Sequence, residues 1–194
     1  MNFKNVTIIG SGVLGSQIAF QSAFFGCHVT MYGKAETSIE KTKVRLRNLQ
    51  QVYGDYFNDQ ARAAKTFEDF TYETDLAQAV ADADVIIESV PEKIEIKQEL
   101  YTQLAAVAPE KTVFLTNSST LLPSQFAEFT GRPDKFLALH FANSIWEKNT
   151  AEVMGHACTN PECTEQVTEF ARNINMIPFV LKKEQPGYIL NSLL

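Results

Sequence analysis

Short apolar runs alternate along the chain with longer stretches in which apolar residues recur every three or four positions. The first run, Val6-Thr7-Ile8-Ile9, has the length of a buried strand. It passes through Gly10-Ser11-Gly12-Val13-Leu14-Gly15 into Ser16–Phe20, which reads as helix. His28–Tyr32 reads as a second strand. The helix after it is opened by Thr37-Ser38-Ile39-Glu40, a capping-box pattern, and carries Ile39, Leu46, Leu49 and Tyr53 on one face until Gly54-Asp55 breaks it. Residues 58–67 predict a short helix, Phe70–Tyr72 a third strand, Leu76–Val80 a short helix and Asp84–Glu88 a buried strand. A long helix with Ile96, Leu100 and Leu104 follows Pro91, then a fifth strand at Thr112–Thr116, a short helix near Pro123, and a sixth strand at Phe136–Leu139 that ends at His140.

Strands alternating with helices predict parallel β-α-β units, and hence a doubly wound, Rossmann-like α/β sheet in the order 3-2-1-4-5-6. Past His140 the pattern predicts strands at Ala151–Met154 and Pro178–Leu181 around a helix over 161–173. One or two strands therefore extend the sheet, at least one of them antiparallel.

A chain of 194 residues, 45% hydrophobic and 21% charged, has the composition of a globular protein with a sizeable core. Its net charge of −6 argues against nonspecific binding to nucleic acid or anionic membrane. No apolar run approaches the roughly 18 residues of a membrane span, and Gly10, Gly12 and Gly15 interrupt the one stretch that resembles a signal peptide. The three cysteines form no CxxC pair. His156, Cys158 and Cys163 lie close together without a fourth ligand nearby, so no metal site is expected, and a reducing cytoplasm is.

The chemistry begins at the glycine turn. A GxGxxG between strand and helix has a mechanism: Gly10 allows the tight turn, Gly12 lets a pyrophosphate approach the backbone, and Gly15 lets the helix pack closely. The phosphates then meet the unbonded N–H groups at the helix start, flanked by Val13 and Leu14. Asn117–Ser119 and His140 fall at strand ends, where ligands of such sheets sit.

Six segments resemble the L-3-hydroxyacyl-CoA dehydrogenase family: Gly10–Gly15, Glu88-Ser-Val-Pro-Glu92, Asn117-Ser-Ser119, His140-Phe-Ala-Asn143, Ala151-Glu-Val153 and Pro186-Gly-Tyr-Ile-Leu-Asn191. The resemblance implies interconversion of a 3-hydroxyacyl-CoA and a 3-oxoacyl-CoA with NAD. His140 is then the base and Glu152 the carboxylate that orients it; Ser119 and Asn191 hold the reacting oxygen and the substrate. Gly10, Gly12, Val13, Leu14, Gly15, Glu92, Lys97, Ser119 and Asn143 would touch the cofactor. It also implies a dinucleotide-binding domain over 1–185, with 186–194 opening a helical domain that builds a homodimer. The chain as it stands is then expected to be mainly monomeric, with apolar surface exposed around Tyr188, Ile189 and Leu193.

The sequence departs from that family in four places. Gly33-Lys34 replaces the acidic residue that binds the adenosine ribose, which makes NADP an option beside NAD. Glu36 is a candidate substitute from the loop. The CoA-contacting serine and lysine align with Leu49 and Tyr56, leaving the basic run Lys41, Lys43, Arg45 and Arg47 as a grip on CoA phosphates or a solvated helix face. His-Phe-Ala-Asn-Ser at 140–144 changes the loop into the site, and Ser118–Ser124 also resembles relatives that oxidise free hydroxy acids such as carnitine or gulonate. The remaining alternative is a noncatalytic dinucleotide sensor, against which the His140–Glu152 pair argues, since a sensor needs no base.

Overall fold

The computed structural model describes residues 3–189. Strand β1 (Asn5–Ile9) enters helix α1 (Val13–Phe24) through the glycine turn and returns in β2 (His28–Tyr32), parallel to β1. Helices α2 (Glu36–Tyr56) and α3 (Gln60–Glu68) precede β3 (Thr71–Glu73). Then come α4 (Leu76–Val80), β4 (Val85–Glu88), α5 (Ile94–Val107) and β5 (Val113–Thr116). Short 3-10 turns between Pro123 and Lys135 lead to β6 (Phe136–Phe141), followed by β7 (Thr150–Met154), α6 (Pro161–Asn173) and β8 (Ile177–Leu181).

The strands form one sheet in the order β3-β2-β1-β4-β5-β6-β7-β8, parallel throughout except between β6 and β7. The central strands are buried on both faces, as their continuous apolar runs require. Val85 and Ile87 of β4 face the layer of α1, α2 and α6 with Phe20, Tyr53 and Phe170, while Ile86 between them faces the α5 layer with Tyr101 and Leu104. The alternation is the strand period of two written into the core.

Three local expectations are corrected. Helix α2 does not open on a Thr37–Glu40 capping box. Ala35 is extended (φ −155°), and the Ser38 hydroxyl donates to its carbonyl at 2.6 Å and accepts from its N–H at 3.3 Å, so the helix starts at Glu36. Gly54 does not break α2, which runs on to Tyr56; a Cβ there would lie 2.2 Å from Gln60 Oε1, so the glycine makes room for the side chain that opens α3. Strand β6 continues to Phe141 and places His140 inside the sheet instead of at its end.

The apolar exposure expected around Tyr188 and Ile189 holds only for Ile189: the Tyr188 ring is buried, while Ile189, and Ile177, Phe179 and Val180 on the edge strand β8, are about half exposed. Leu193 lies outside the described residues. Among the described residues no helix is long and apolar enough to cross a membrane.

Candidate active site

The glycine turn is built by contacts that exclude side chains at two of its three glycines. Gly10 has φ +121°, and a Cβ there would lie 2.3 Å from the Ser89 carbonyl oxygen. A Cβ on Gly15 would lie 2.0 Å from the Gly10 carbonyl oxygen, so α1 closes against the turn itself, more directly than against the strand. Gly12, the N-cap of α1, faces open space with nothing within 4 Å of its Cβ position and no side-chain cap on the helix. That is an anion cradle: unbonded N–H groups and the positive end of a helix beside room for a phosphate.

Sequence reasoning missed a brace on this turn, the Arg45 guanidinium, which donates to the Ser11 carbonyl at 3.0 Å. The rest of the basic run is scattered. Lys43 pairs with Glu40 at 2.8 Å, Arg47 lies over the Phe67 ring, and Lys41 is exposed. Leu49 is buried in the core and Tyr56 is half exposed, so neither position offers a cation.

A cavity of about 740 Å³ extends from the Gly10–Leu14 turn between the end of β2 and the start of α5, a size within the usual range for a small-molecule site. Tyr32, Gly33, Lys34 and Ser38 form one wall, and Val90, Pro91 and Ile96 line the other. Glu36 opens α2 without joining that wall. The slot at Gly33 is closed to side chains, because a Cβ would lie 2.6 Å from Ser38 Oγ and 2.9 Å from Ile39 Cδ1. The cradle and the cavity together fit the pyrophosphate and adenosine of a dinucleotide.

The second cluster arises from strand register. Antiparallel pairing sets His140 opposite Glu152, and the imidazole Nδ1 lies 2.8 Å from Glu152 Oε2. Both side chains are buried. A carboxylate can only accept, so the proton is assigned to Nδ1, which leaves Nε2 as the acceptor of a neutral ring. Nε2 lies 3.2 Å from Ser119 Oγ. The Ile189 N–H donates to the other carboxylate oxygen, Oε1, at 2.7 Å, and the Tyr188 ring lies over the imidazole at 4.5 Å.

Two further polar residues hold this corner: Asn117, which the sequence placed at a strand end, and Gln17, which did not stand out. Asn117 Oδ1 accepts from the Phe141 N–H at 3.0 Å, and Gln17 of α1 accepts from the Ser144 N–H at 2.9 Å. The exposed Asn143 lies between those anchors. Asn191 lies outside the described residues.

Glu92 follows directly on the Ser89–Pro91 wall of the cavity and joins it to Ser119. Its Oε1 accepts from the Ser118 hydroxyl, the amides of Ser119 (3.0 Å), Thr120 (2.9 Å) and Leu121 (3.2 Å), and Thr120 Oγ1 (3.0 Å). Burial pushes this carboxyl up, but those bonds and Lys97 outweigh it and bring it down to about 2.

Lys97 does not project into the cavity as expected for a cofactor contact. It is fully buried, with Nζ 2.6 Å from Glu88 Oε1 and 3.4 Å from Glu92 Oε2, because a buried ammonium needs carboxylate partners. Glu88 in turn accepts from the Val90 N–H, Tyr101 OH and Thr116 Oγ1. Near Cys158, His156 is engaged with the Pro133 carbonyl at 3.0 Å and the Cys158 N–H at 3.3 Å.

Residues 5–185 match the family model described as 3-hydroxyacyl-CoA dehydrogenase, NAD binding domain. The chain is 32% identical to the mitochondrial hydroxyacyl-coenzyme A dehydrogenase of Rattus norvegicus, over 98% of its own length and 62% of that protein. It is 29% identical to an L-carnitine dehydrogenase of Bacillus cereus, over 100% of its length and 58% of the relative. It therefore spans less than two thirds of either relative. Among solved structures, a diketoreductase described as catalysing dicarbonyl compounds superposes with a TM-score of 0.97 at 53% identity, covering 100% of this chain and 69% of that one.

Proposed function

The chain belongs to the 3-hydroxyacyl-CoA dehydrogenase family and carries its NAD-binding domain, and we propose that it serves the exchange of hydride between NAD and the C3 position of a 3-hydroxy or 3-oxo substrate, with His140 as the base. The observation that carries this reading is the Ser119–His140–Glu152 line, 3.2 and 2.8 Å between successive polar atoms. It leaves one imidazole nitrogen as a proton acceptor beside a hydroxyl and anchors the other on a buried carboxylate.

NAD supplies the hydride acceptor for oxidation and, when reduced, the donor for the reverse step. Gly10, Gly12, Val13, Leu14 and Gly15 would hold its pyrophosphate, Gly33 and Lys34 would line the adenosine end, and Ser119 and Asn143 would lie toward the reacting end. As C3 gives up hydride, His140 Nε2 takes the proton of the 3-hydroxyl, and in reduction the imidazolium returns it. Glu152 keeps Nδ1 protonated and stabilises the imidazolium. The Ser119 hydroxyl holds the substrate oxygen beside Nε2, and Asn191 is assigned to the same task.

For the substrate, we favour a free dicarbonyl or hydroxy acid over a CoA thioester. Leu49 is buried, Tyr56 is uncharged, and Lys43, Arg45 and Arg47 are engaged within the domain, which leaves the exposed Lys41 of the basic run. The diketoreductase similarity points the same way. The CoA reading rests on the family and on the rat relative. Steady-state rates with acetoacetyl-CoA and with a free β-dicarbonyl compound separate the two: faster turnover of the free compound supports our preference, and a large advantage for the thioester removes it.

A further inference from the structure

Beside the cofactor contact expected of it, Glu92 has a dense set of bonds within the chain. One oxygen is taken up by a single turn, Ser118–Leu121, through three consecutive amides and two hydroxyls. The other faces Lys97, which is pinned by Glu88 beneath. From that turn the Ser119 hydroxyl reaches His140 Nε2.

We propose that Glu92, backed by Lys97, is a positioning residue that sets the Ser118–Leu121 turn and so holds the Ser119 hydroxyl on His140. The inference rests on the function proposed above. Without Glu92, the hydroxyl of the buried Ser118 loses its acceptor, which is costly, and the more exposed amides of Ser119, Thr120 and Leu121 turn to water. The turn then relaxes toward other partners and Ser119 Oγ leaves the imidazole. Displacement of about 1 Å at a reacting group is enough for roughly 10²-fold in rate. The buried Glu88–Lys97 pair gives the arrangement a rigid base, since Glu88 is held by Val90, Tyr101 and Thr116.

The test compares Ser119→Ala, Glu92→Ala and their double variant in protein labelled with ¹⁵N at histidine. The readouts are the His140 Nε2 resonance, NADH affinity by fluorescence, and turnover. We expect Glu92→Ala to move the Nε2 resonance as Ser119→Ala does, the double variant to move it no further, and turnover to fall roughly 10²-fold with NADH affinity unchanged. Glu92→Asp should recover part of the loss. Weakened NADH binding with the Nε2 resonance at its original position overturns the proposal and makes Glu92 a cofactor contact. Glu92→Leu, which removes both acceptor oxygens and keeps the volume, gives the same comparison should the alanine variant fail to fold. If the parent protein turns over no 3-oxo substrate, the proposed function falls, and the resonance still decides whether Glu92 positions Ser119.

Discussion

A Cβ on Gly15 would sit 2.0 Å from the Gly10 carbonyl oxygen, whereas one on Gly12, three residues earlier, would meet nothing within 4 Å. The same turn therefore contains a glycine needed for packing and one needed for a ligand. Gly12→Val should abolish NADH binding and leave the melting temperature close to that of the parent. Gly15→Ala should lower the melting temperature, since backbone has to move to relieve the contact. Fluorescence titration with NADH and thermal melts of both variants check this, and a Gly12→Val protein that still binds NADH removes the cradle.

At the end of β2, restoring the missing carboxylate is not a simple exchange. Gly33→Asp brings a Cβ against Ser38 Oγ and Ile39 Cδ1, and Ser38 is the residue that fastens the start of α2 to Ala35. We expect Gly33→Asp to lower stability by about 1–3 kcal/mol, as overpacking does, while raising the ratio of NADH to NADPH affinity by repelling a 2′-phosphate. Lys34→Ala should raise that ratio at no cost in stability. An unchanged ratio in both variants shows that this corner does not sort the two cofactors.

Glu92 makes a prediction about pH. Its carboxyl ordinarily titrates near 4.5 and is held at about 2 in the folded chain, so the folded state favours its ionised form. The stability it contributes is fully present above 4.5 and lost as pH falls toward 2. Glu92→Gln should therefore be less stable than the parent at neutral pH, with the difference closing between about pH 4.5 and 2. Urea unfolding at several pH values tests this, and a difference independent of pH means that the charge of Glu92 does not matter.

Most of the sheet could be read from the chain because its central strands are buried on both faces and leave unbroken apolar runs, as at Val85-Ile86-Ile87. The order of the first six strands followed from the alternation of elements and the strand–turn–helix at Gly10–Gly15, while the strands beyond were expected only as an extension, at least one of them antiparallel. The helix boundaries that failed were decided by side chains reaching back on the backbone or across a turn, Ser38 on Ala35 and Gln60 over Gly54.

The site was legible only in part. His140 and Glu152 are suggestive in sequence, but what joins them is antiparallel register, which no local pattern reveals. Gln17 with Ser144, Arg45 with Ser11 and the Glu88–Lys97–Glu92 chain are polar contacts between separate elements. Each residue taken alone looks like an ordinary helix or strand position. Lys97 illustrates the point: the resemblance implied a cofactor contact, whereas the fold buries it against Glu88 and Glu92.

The central claim is that His140 and Glu152 act as one catalytic unit beside a dinucleotide cradle, and a double-mutant cycle on turnover tests it most directly. His140→Gln, Glu152→Gln and the double variant are compared with the parent for NADH-dependent reduction of a 3-oxo substrate, with NADH affinity measured alongside. His140→Gln should lower turnover by about 10²–10⁴-fold without weakening NADH binding. Glu152→Gln should show a related loss, and the double variant far less than the product of the two. Fully multiplicative losses, or a His140→Gln protein with the turnover of its parent, would contradict the account.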